Sequence, residues 1–154
     1  MSESKKRLYK RATAAAAARA LIDRIEAINS GTADYPYYNK IESVILFGSF
    51  VNSDRPNIHD LDVLVIHDDD RTLMTKFHDE HPGLFSDYLQ DLFSEMYLKE
   101  KYLRNRKTIY SFHSNLNEGP EIVDIAKSDK HIVLCRDHQI CDDALTKIHE
   151  LSGR

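Results

Sequence analysis

The stretches VILFGSF (residues 44–50) and DLDVLVI (residues 60–66) decide the fold of this chain. Each contains an apolar run of strand composition. A turn at Gly48-Ser49 follows the first apolar run, and Asp60 and Asp62 lie at the start of the second. Because side chains alternate along a strand with period two, the two aspartates point to the same face. The two runs follow one another, so we expect the turn and the acidic pair to meet at neighbouring strand ends.

This arrangement suits metal-assisted chemistry on a phosphate. Carboxylates two residues apart on a rigid strand can share a hard divalent cation such as Mg²⁺, and backbone amides at a Gly-Ser turn can hold a phosphate. The alternative is structural, with Asp60 and Asp62 as loop and edge residues that cap a buried strand. Asp62 argues against it, because it lies between Leu61 and Val63, where an unpaired carboxylate is costly.

The segment 41–66 resembles the core motif of the polymerase-beta-like nucleotidyltransferase superfamily, and in particular its small minimal-nucleotidyltransferase branch. The shared pattern is Gly-Ser after an apolar residue, a gap of ten residues, and Asp-apolar-Asp-apolar. The resemblance implies a mixed sheet with helices and a nucleoside triphosphate, ATP being the preferred candidate, whose phosphates lie on Gly48 and Ser49. It also implies Mg²⁺ or Mn²⁺ ions on Asp60 and Asp62.

The superfamily usually has a third carboxylate on a later strand, and Asp124 is the best candidate for it. If residues 121–125 (EIVDI) form a strand, Asp124 could reach the metals as a catalytic residue, ligate the second ion and take a proton from the acceptor hydroxyl. The same residues also fit a short helix after a Gly-Pro pair. The neighbouring strand is then TIYSFH (residues 108–113), which has no acid. In that case the enzyme either lacks the third acid or uses Ser111 or His113 in its place.

Composition describes a globular chain, with 42% hydrophobic and 30% charged residues. Its 154 residues are enough for one domain with a core. We find no apolar run of membrane-spanning length and no signal segment, and we expect a cytoplasmic protein without a membrane partner. The two cysteines, Cys135 and Cys141, lack the spacing of a zinc site.

The net charge of −4 is distributed unevenly. Residues 1–24 hold seven basic and two acidic side chains, and residues 99–107 form a second basic cluster. Six aspartates lie within residues 54–70. The basic clusters could contact a nucleic-acid backbone, but the negative net charge favours two solvated faces.

The pattern predicts an α+β (α/β) fold, in which helices flank a small mixed sheet of about four to five strands and a long helix begins the chain. We predict a single domain over 1–154, with an N-terminal helix in 1–30, a catalytic sheet and helices in 41–135 and a C-terminal helix in 140–152. The expected helices cover 4–29, 71–80, 85–103 and 142–151, and the expected strands cover 43–47, 61–67, 108–113 and 131–135.

The functional prediction is an enzyme, a metal-dependent nucleotidyltransferase that transfers a nucleoside monophosphate to a hydroxyl of a protein or an RNA. The alternative is a catalytically weak member of the same fold that acts by binding a partner, as a regulator or a toxin–antitoxin component. A position for Asp124 away from the acidic pair would favour the alternative. The alanine-rich first helix could also pack against a second copy of the chain or a different protein.

Overall fold

The computed structural model describes residues 7–33, 40–68 and 88–153, with side chains in the last range from residue 95 onward. The helices in these ranges are α1 (Arg11–Ser30), α2 (Ser49–Asn52), α3 (Tyr88–Arg104), α4 (Asn115–Glu118), α5 (Glu121–Lys127) and α6 (Ala144–Ser152). The strands are β1 (Tyr9–Lys10), β2 (Ile41–Phe47), β3 (Asn57–Ile58), β4 (Leu61–His67), β5 (Tyr110–Ser114), β6 (Ile132–Arg136) and β7 (Gln139–Ile140). None of the described helices is long and apolar enough to cross a bilayer.

Five strands form one mixed sheet in the order β5-β4-β2-β6-β7. The β4–β5 pair is parallel, and the other three pairs are antiparallel. The central strands β2 and β4 are the two apolar runs of the sequence, as expected for strands covered on both faces. The predicted fold class, a small mixed sheet flanked by helices with a long N-terminal helix, is confirmed.

The two faces of the sheet bury different clusters. On β4, Leu61, Val63 and Val65 face the larger cluster, which also contains the alanine side of α1 and the inner side of α6. Leu64 faces a smaller cluster under α5. Because side chains alternate along a strand, Asp62 lies on the face that α5 covers.

The first helix begins later than the sequence predicted. Residues 9–10 form β1, which pairs antiparallel with β3, so α1 begins at Arg11 instead of Ser4. Gly31 ends the helix with a left-handed φ of +79°, a conformation that glycine adopts at low cost. Among the buried residues of α1, Ala14, Ala15 and Ala18 have no exposed surface, which lets the helix backbone approach its neighbours closely.

The segment 121–127 is a helix, so the strand interpretation of 121–125 is wrong. Ile122 and Ala126, four residues apart, pack on Ile45 and Leu64 of the central strands. A strand at this point would leave that apolar patch of the sheet uncovered. The sequence also missed the short helix α4 and the strand β7. The predicted helix 71–80 and the tyrosines of 35–38 lie outside the described residues.

A buried arginine joins the start of α1 to the segment after the Gly-Ser turn. Arg11 is 2% exposed, and its guanidinium donates to the carbonyl oxygens of Phe50 at 2.8 Å, Arg55 at 2.6 Å, Leu151 at 3.3 Å and Ser53. These carbonyls belong to α2, the loop that follows it, and α6. A buried guanidinium is tolerated because its donors are satisfied.

Arg11→Met is therefore expected to lower the free energy of unfolding by about 3 kcal/mol, because it leaves several buried carbonyls without a donor. Urea denaturation measures the change. Arg19→Met is the control, since Arg19 is exposed on the same helix and should change stability by less than about 0.5 kcal/mol. Equal effects of the two substitutions would contradict the anchoring role of Arg11.

Candidate functional site

The turn and the acidic pair meet at one end of the sheet. Asp62 is the second residue of β4, where it pairs in register with Phe47 of β2 on one side and Ser111 of β5 on the other. Asp60 precedes β4 directly and is half-buried. The charge of Asp60 acts on Asp62, since it contributes to raising the pKa of the Asp62 carboxyl. The two aspartates predicted from the sequence thus form one acidic pair.

Gly48 lies directly against the Asp62 carboxylate. Its φ is +82°, a region that L side chains rarely adopt. A methyl group built at Gly48 would overlap Oδ2 of Asp62 and lie 3.0 Å from its Cγ and 3.2 Å from its Cβ. Only a residue without a Cβ allows this approach, so the Gly-Ser turn and the acidic pair form one structural unit.

Ser49 begins α2 immediately after this glycine. Its carbonyl accepts hydrogen bonds from the amide of Ser53 at 3.1 Å and the hydroxyl of Ser53 at 2.7 Å. Within the described ranges, the Ser49 hydroxyl itself makes no hydrogen bond. Ser49 is half-buried, and its hydroxyl can donate to an oxygen of a bound molecule.

A histidine and a glutamate complete the surroundings of Asp62. Nε2 of His113 lies 3.4 Å from Oδ1 of Asp62, and Nδ1 of the same ring lies 3.0 Å from Oε1 of Glu118. The ring also contacts Phe47, with centroids 5.2 Å apart. The imidazole therefore bridges two carboxylates, and when protonated it can donate to both.

The pKa of Asp62 is raised, chiefly because burial disfavours its charged form. The negative charge of Asp60 adds to this effect, whereas His113 and Ser111 oppose it by hydrogen bonding or charge. Burial likewise raises the pKa of Glu100, with a further contribution from the negative charge of Glu118. This end of the sheet is therefore rich in carboxylates that a cation would stabilise.

Asp124 is placed differently from the strand hypothesis. It lies on α5 and is exposed, and no hydrogen bond or ion pair connects it with Asp60 or Asp62 in the described part of the chain. The strand position beside Asp62 is occupied by Ser111, with His113 two residues further on. This is the arrangement expected from the helical alternative for 121–127.

The donor set fits a magnesium-type cation only in part. Asp60 and Asp62 supply hard carboxylate oxygens, which suit Mg²⁺ or Mn²⁺. Among the residues that the structure describes, no three histidine, cysteine, aspartate or glutamate side chains converge as a metal-binding group. An ion on the pair would need its other ligands from water and a bound phosphate, which Mg²⁺ accepts readily.

Sequence reasoning found part of this site. The acidic pair and the Gly-Ser turn follow from local pattern, and Ser111 and His113 were alternatives for the third position. Glu118 was missed because it lies in a segment expected to be a loop. No local signal connects Glu118 with Asp62, since their connection runs through the parallel pairing of β4 and β5.

Comparison with known proteins gives one match. A family model described as a nucleotidyltransferase domain matches residues 34–133. No curated protein and no solved structure matches the chain. The matched range contains the turn, the acidic pair, His113 and Asp124, and it confirms the resemblance on which the superfamily was predicted.

Replacing Gly48 with alanine tests the contact between the turn and Asp62. Gly31 is a control for positive φ, because its φ of +79° is nearly the same and a methyl group there meets nothing within 4 Å, although its ψ is 16° and that of Gly48 is −159°. Gly31→Ala should cost about 1 kcal/mol of stability from backbone strain alone, and Gly48→Ala should cost about 1–3 kcal/mol more through overpacking and through a ψ that residues with a side chain avoid. Urea denaturation compares the two, and equal costs would mean that Asp62 moves away freely.

Asp62→Asn tests whether this carboxylate serves binding rather than folding. Because the pKa of Asp62 is raised in the folded state, the native protein holds this proton more tightly than the unfolded chain does. The contribution of Asp62 to stability therefore falls as the pH rises from about 3.8, the ordinary pKa of an aspartate, through the raised pKa. In EDTA at pH 7 the variant should match the wild type within about 0.5 kcal/mol or exceed it, with no gain at pH 3. Unfolding of the variant would make Asp62 a structural residue.

Proposed function

The chain belongs to the nucleotidyltransferase domain family, and on that premise we propose that it transfers a nucleoside monophosphate from a nucleoside triphosphate to a hydroxyl of a protein or RNA acceptor. The observation that carries the proposal is the direct approach of Gly48 to the Asp62 carboxylate. This approach brings a phosphate-binding turn and a cation-binding pair to the same place, which the reaction requires. ATP is the preferred donor.

In this proposal Asp60 and Asp62 hold Mg²⁺ or Mn²⁺. Such an ion, when bound, neutralises charge on the triphosphate and on the leaving pyrophosphate. The proximity of Asp60 favours occupation by a cation, because its negative charge raises the pKa of the Asp62 carboxyl and a bound cation would balance both charges.

Gly48 and Ser49 orient the triphosphate. The absent side chain at Gly48 leaves room beside Asp62, and the Ser49 hydroxyl is available as a donor to a phosphate oxygen. The amides of the turn add donors that need no reorganisation when a phosphate arrives. The turn thus holds the reacting phosphate next to the carboxylate pair.

His113 positions the Asp62 carboxylate through its contact with Oδ1. Glu118 holds one nitrogen of the imidazole at 3.0 Å while the other faces Asp62, so the ring and the carboxylate restrict one another. In this proposal Ser111 and His113 take the strand position where the superfamily usually has its third carboxylate. Asp124 stays a candidate that activity measurements must test, because it is exposed on α5.

The second candidate function is a regulator that acts by binding a partner, for example as a toxin–antitoxin component. Two observations favour it. Asp124 is exposed on α5 and has no contact with the acidic pair in the described residues, and Ser111 and His113 stand in place of a third carboxylate beside Asp62. A site with two carboxylates can bind a cation and a triphosphate and still transfer slowly. Measurement of transfer, and not of nucleotide binding, separates the two functions.

The test is a labelling assay with each of the four α-labelled nucleoside triphosphates, Mg²⁺ and total cell lysate as the acceptor. Wild type should label a protein or RNA band. Asp60→Asn and Asp62→Asn should each lower labelling at least about 100-fold, because cation binding supplies several kcal/mol of transition-state stabilisation and each 1.36 kcal/mol is tenfold in rate. Asp23→Asn, at an exposed aspartate of α1, is the control and should label normally.

Asp124→Asn belongs in the same assay. Because Asp124 is exposed on α5, we expect the variant to retain labelling within a few-fold, whereas His113→Ala should lower it. A loss as large as that of Asp62→Asn would return Asp124 to the catalytic set. Triphosphate binding without transfer by the wild type would favour the regulator, and no Mg²⁺-dependent binding of any triphosphate would contradict the transfer function.

A further inference from the structure

A basic pocket lies between α1 and the end of α3. The cavity is about 640 Å³, and its lining includes Arg24 from the first helix and Lys101, Tyr102, Arg104 and Arg106 from the second basic cluster. Residues 24 and 101 are far apart in the chain, so Arg24, the last basic residue of the first cluster, meets the second cluster only in the folded protein. We call this cavity with its four cations the basic pocket.

Hydrogen bonds and rings hold two of the four cations in place. Arg24 donates to the carbonyl of Tyr102 at 2.9 Å and lies over the Tyr102 ring, 4.5 Å from its centroid. Arg104 donates to the carbonyl of Tyr110 at 3.0 Å and lies over the Phe112 ring at 5.0 Å. Each contact uses part of a guanidinium that has five N–H donors, so both cations keep donors for a ligand.

Among the described residues, the lining of the pocket does not balance its positive charges. That part of the lining contains no aspartate or glutamate, and none of the four cations forms an ion pair with a carboxylate in the described ranges. Glu100 is an acidic group whose charge interacts with that of Arg104. Four cations around one cavity repel one another, and an anionic ligand would relieve that repulsion.

The turn that carries Arg106 also departs from low-energy backbone. Asn105 and Arg106 both have a left-handed φ, of 47° and 64°, which costs free energy for residues with a side chain. Asparagine often adopts this conformation, but arginine gains nothing from it locally. Glycine at position 106 would have less backbone strain, but it would remove a cation from the pocket.

Arg104 connects the basic pocket with the strand that carries the acidic pair. Arg104 contacts the carbonyl of Tyr110, which pairs in register with Leu61, and the Leu61 amide donates to the Ile109 carbonyl at 2.8 Å. Leu61 separates Asp60 from Asp62. Backbone hydrogen bonds between β4 and the start of β5 thus connect Tyr110, which Arg104 contacts, with Leu61, the residue between the two aspartates.

We propose that the basic pocket binds the phosphate backbone of a nucleic-acid strand, so that nucleic acid is the acceptor class of the proposed transfer reaction. Three of the four cations are arginines, whose planar donors match phosphate oxygens in pairs. The pocket is distinct from the turn that takes the triphosphate, so it serves a second polyanion. That the nucleic acid is the acceptor rests on the proposed function, whereas binding of nucleic acid to the basic pocket does not depend on it.

Binding is measured by fluorescence polarisation of a labelled 12-nucleotide single-stranded RNA, in EDTA and without any triphosphate. The test variant is Lys101→Gln/Arg106→Gln, whose two side chains are exposed. The control is Lys40→Gln/Arg136→Gln, which removes an exposed lysine that precedes β2 and an exposed arginine that ends β6. The two variants have the same net charge.

The expected result is RNA binding by the wild type, at least tenfold weaker binding by the test variant and less than twofold weaker binding by the control. The slope of log affinity against log salt should also fall by about 1.4 in the test variant, since each phosphate contact on a single strand contributes about 0.7. DNA of the same sequence is a second probe. Binding of DNA equal to that of RNA supports backbone recognition, and weaker DNA binding supports recognition of an RNA strand.

Three results would overturn the inference. The first is equal weakening of RNA binding in the test and control variants. The second is absence of RNA binding by the wild type at a low salt concentration of about 50 mM, at which phosphate contacts are strong. The third is competition by a polyglutamate peptide as strong as that by unlabelled RNA. The last result would assign the pocket to an acidic protein. Because no triphosphate is present, loss of transfer activity in the labelling assay would leave this measurement intact, and the two failures are distinguishable.

Discussion

The absence of a side chain at Gly48 lets the backbone of the turn lie against the carboxylate of Asp62, and the candidate site depends on this approach. Any Cβ at that point would displace the carboxylate or the turn. The approach fixes the distance between the group that would hold a cation and the amides that would hold a phosphate. Both groups are then positioned by the β2–β4 pairing, in which Phe47 lies opposite Asp62.

The rest of the fold keeps this unit rigid. Arg11 ties the segment after the turn to α1 and α6 through four carbonyl oxygens, and α5 covers the apolar patch of the sheet on the face that Asp62 shares. A site built on strands and supported by buried contacts holds its groups with little freedom, which binding of a triphosphate in one orientation requires.

The described part of the molecule carries charges of opposite sign in two regions. Carboxylates gather around Asp62 and His113, whereas cations gather in the basic pocket between α1 and the end of α3. The described lining of the basic pocket contains no carboxylate, and burial raises the pKa of Asp62 and Glu100 in the acidic region. The two regions suit a cation with its triphosphate and a second polyanion, as the proposed two-substrate transfer reaction requires. A regulator with the same two carboxylates would use the Gly48–Asp62 approach for binding without fast transfer.

The sequence by itself determined the central strands, the Gly-Ser turn, the acidic pair and the family. These features are local, because strand alternation, apolar runs and the need for glycine at a left-handed turn are visible within a few residues. Only the tertiary structure decided that 121–127 is a helix, since a short apolar run fits both periods and the exposed patch of Ile45 and Leu64 selects between them. The contact of His113 with Asp62 and the meeting of Arg24 with residues 101–106 were also decided there. Each depends on the register or packing of elements far apart in the chain, and local pattern contains no information about that packing.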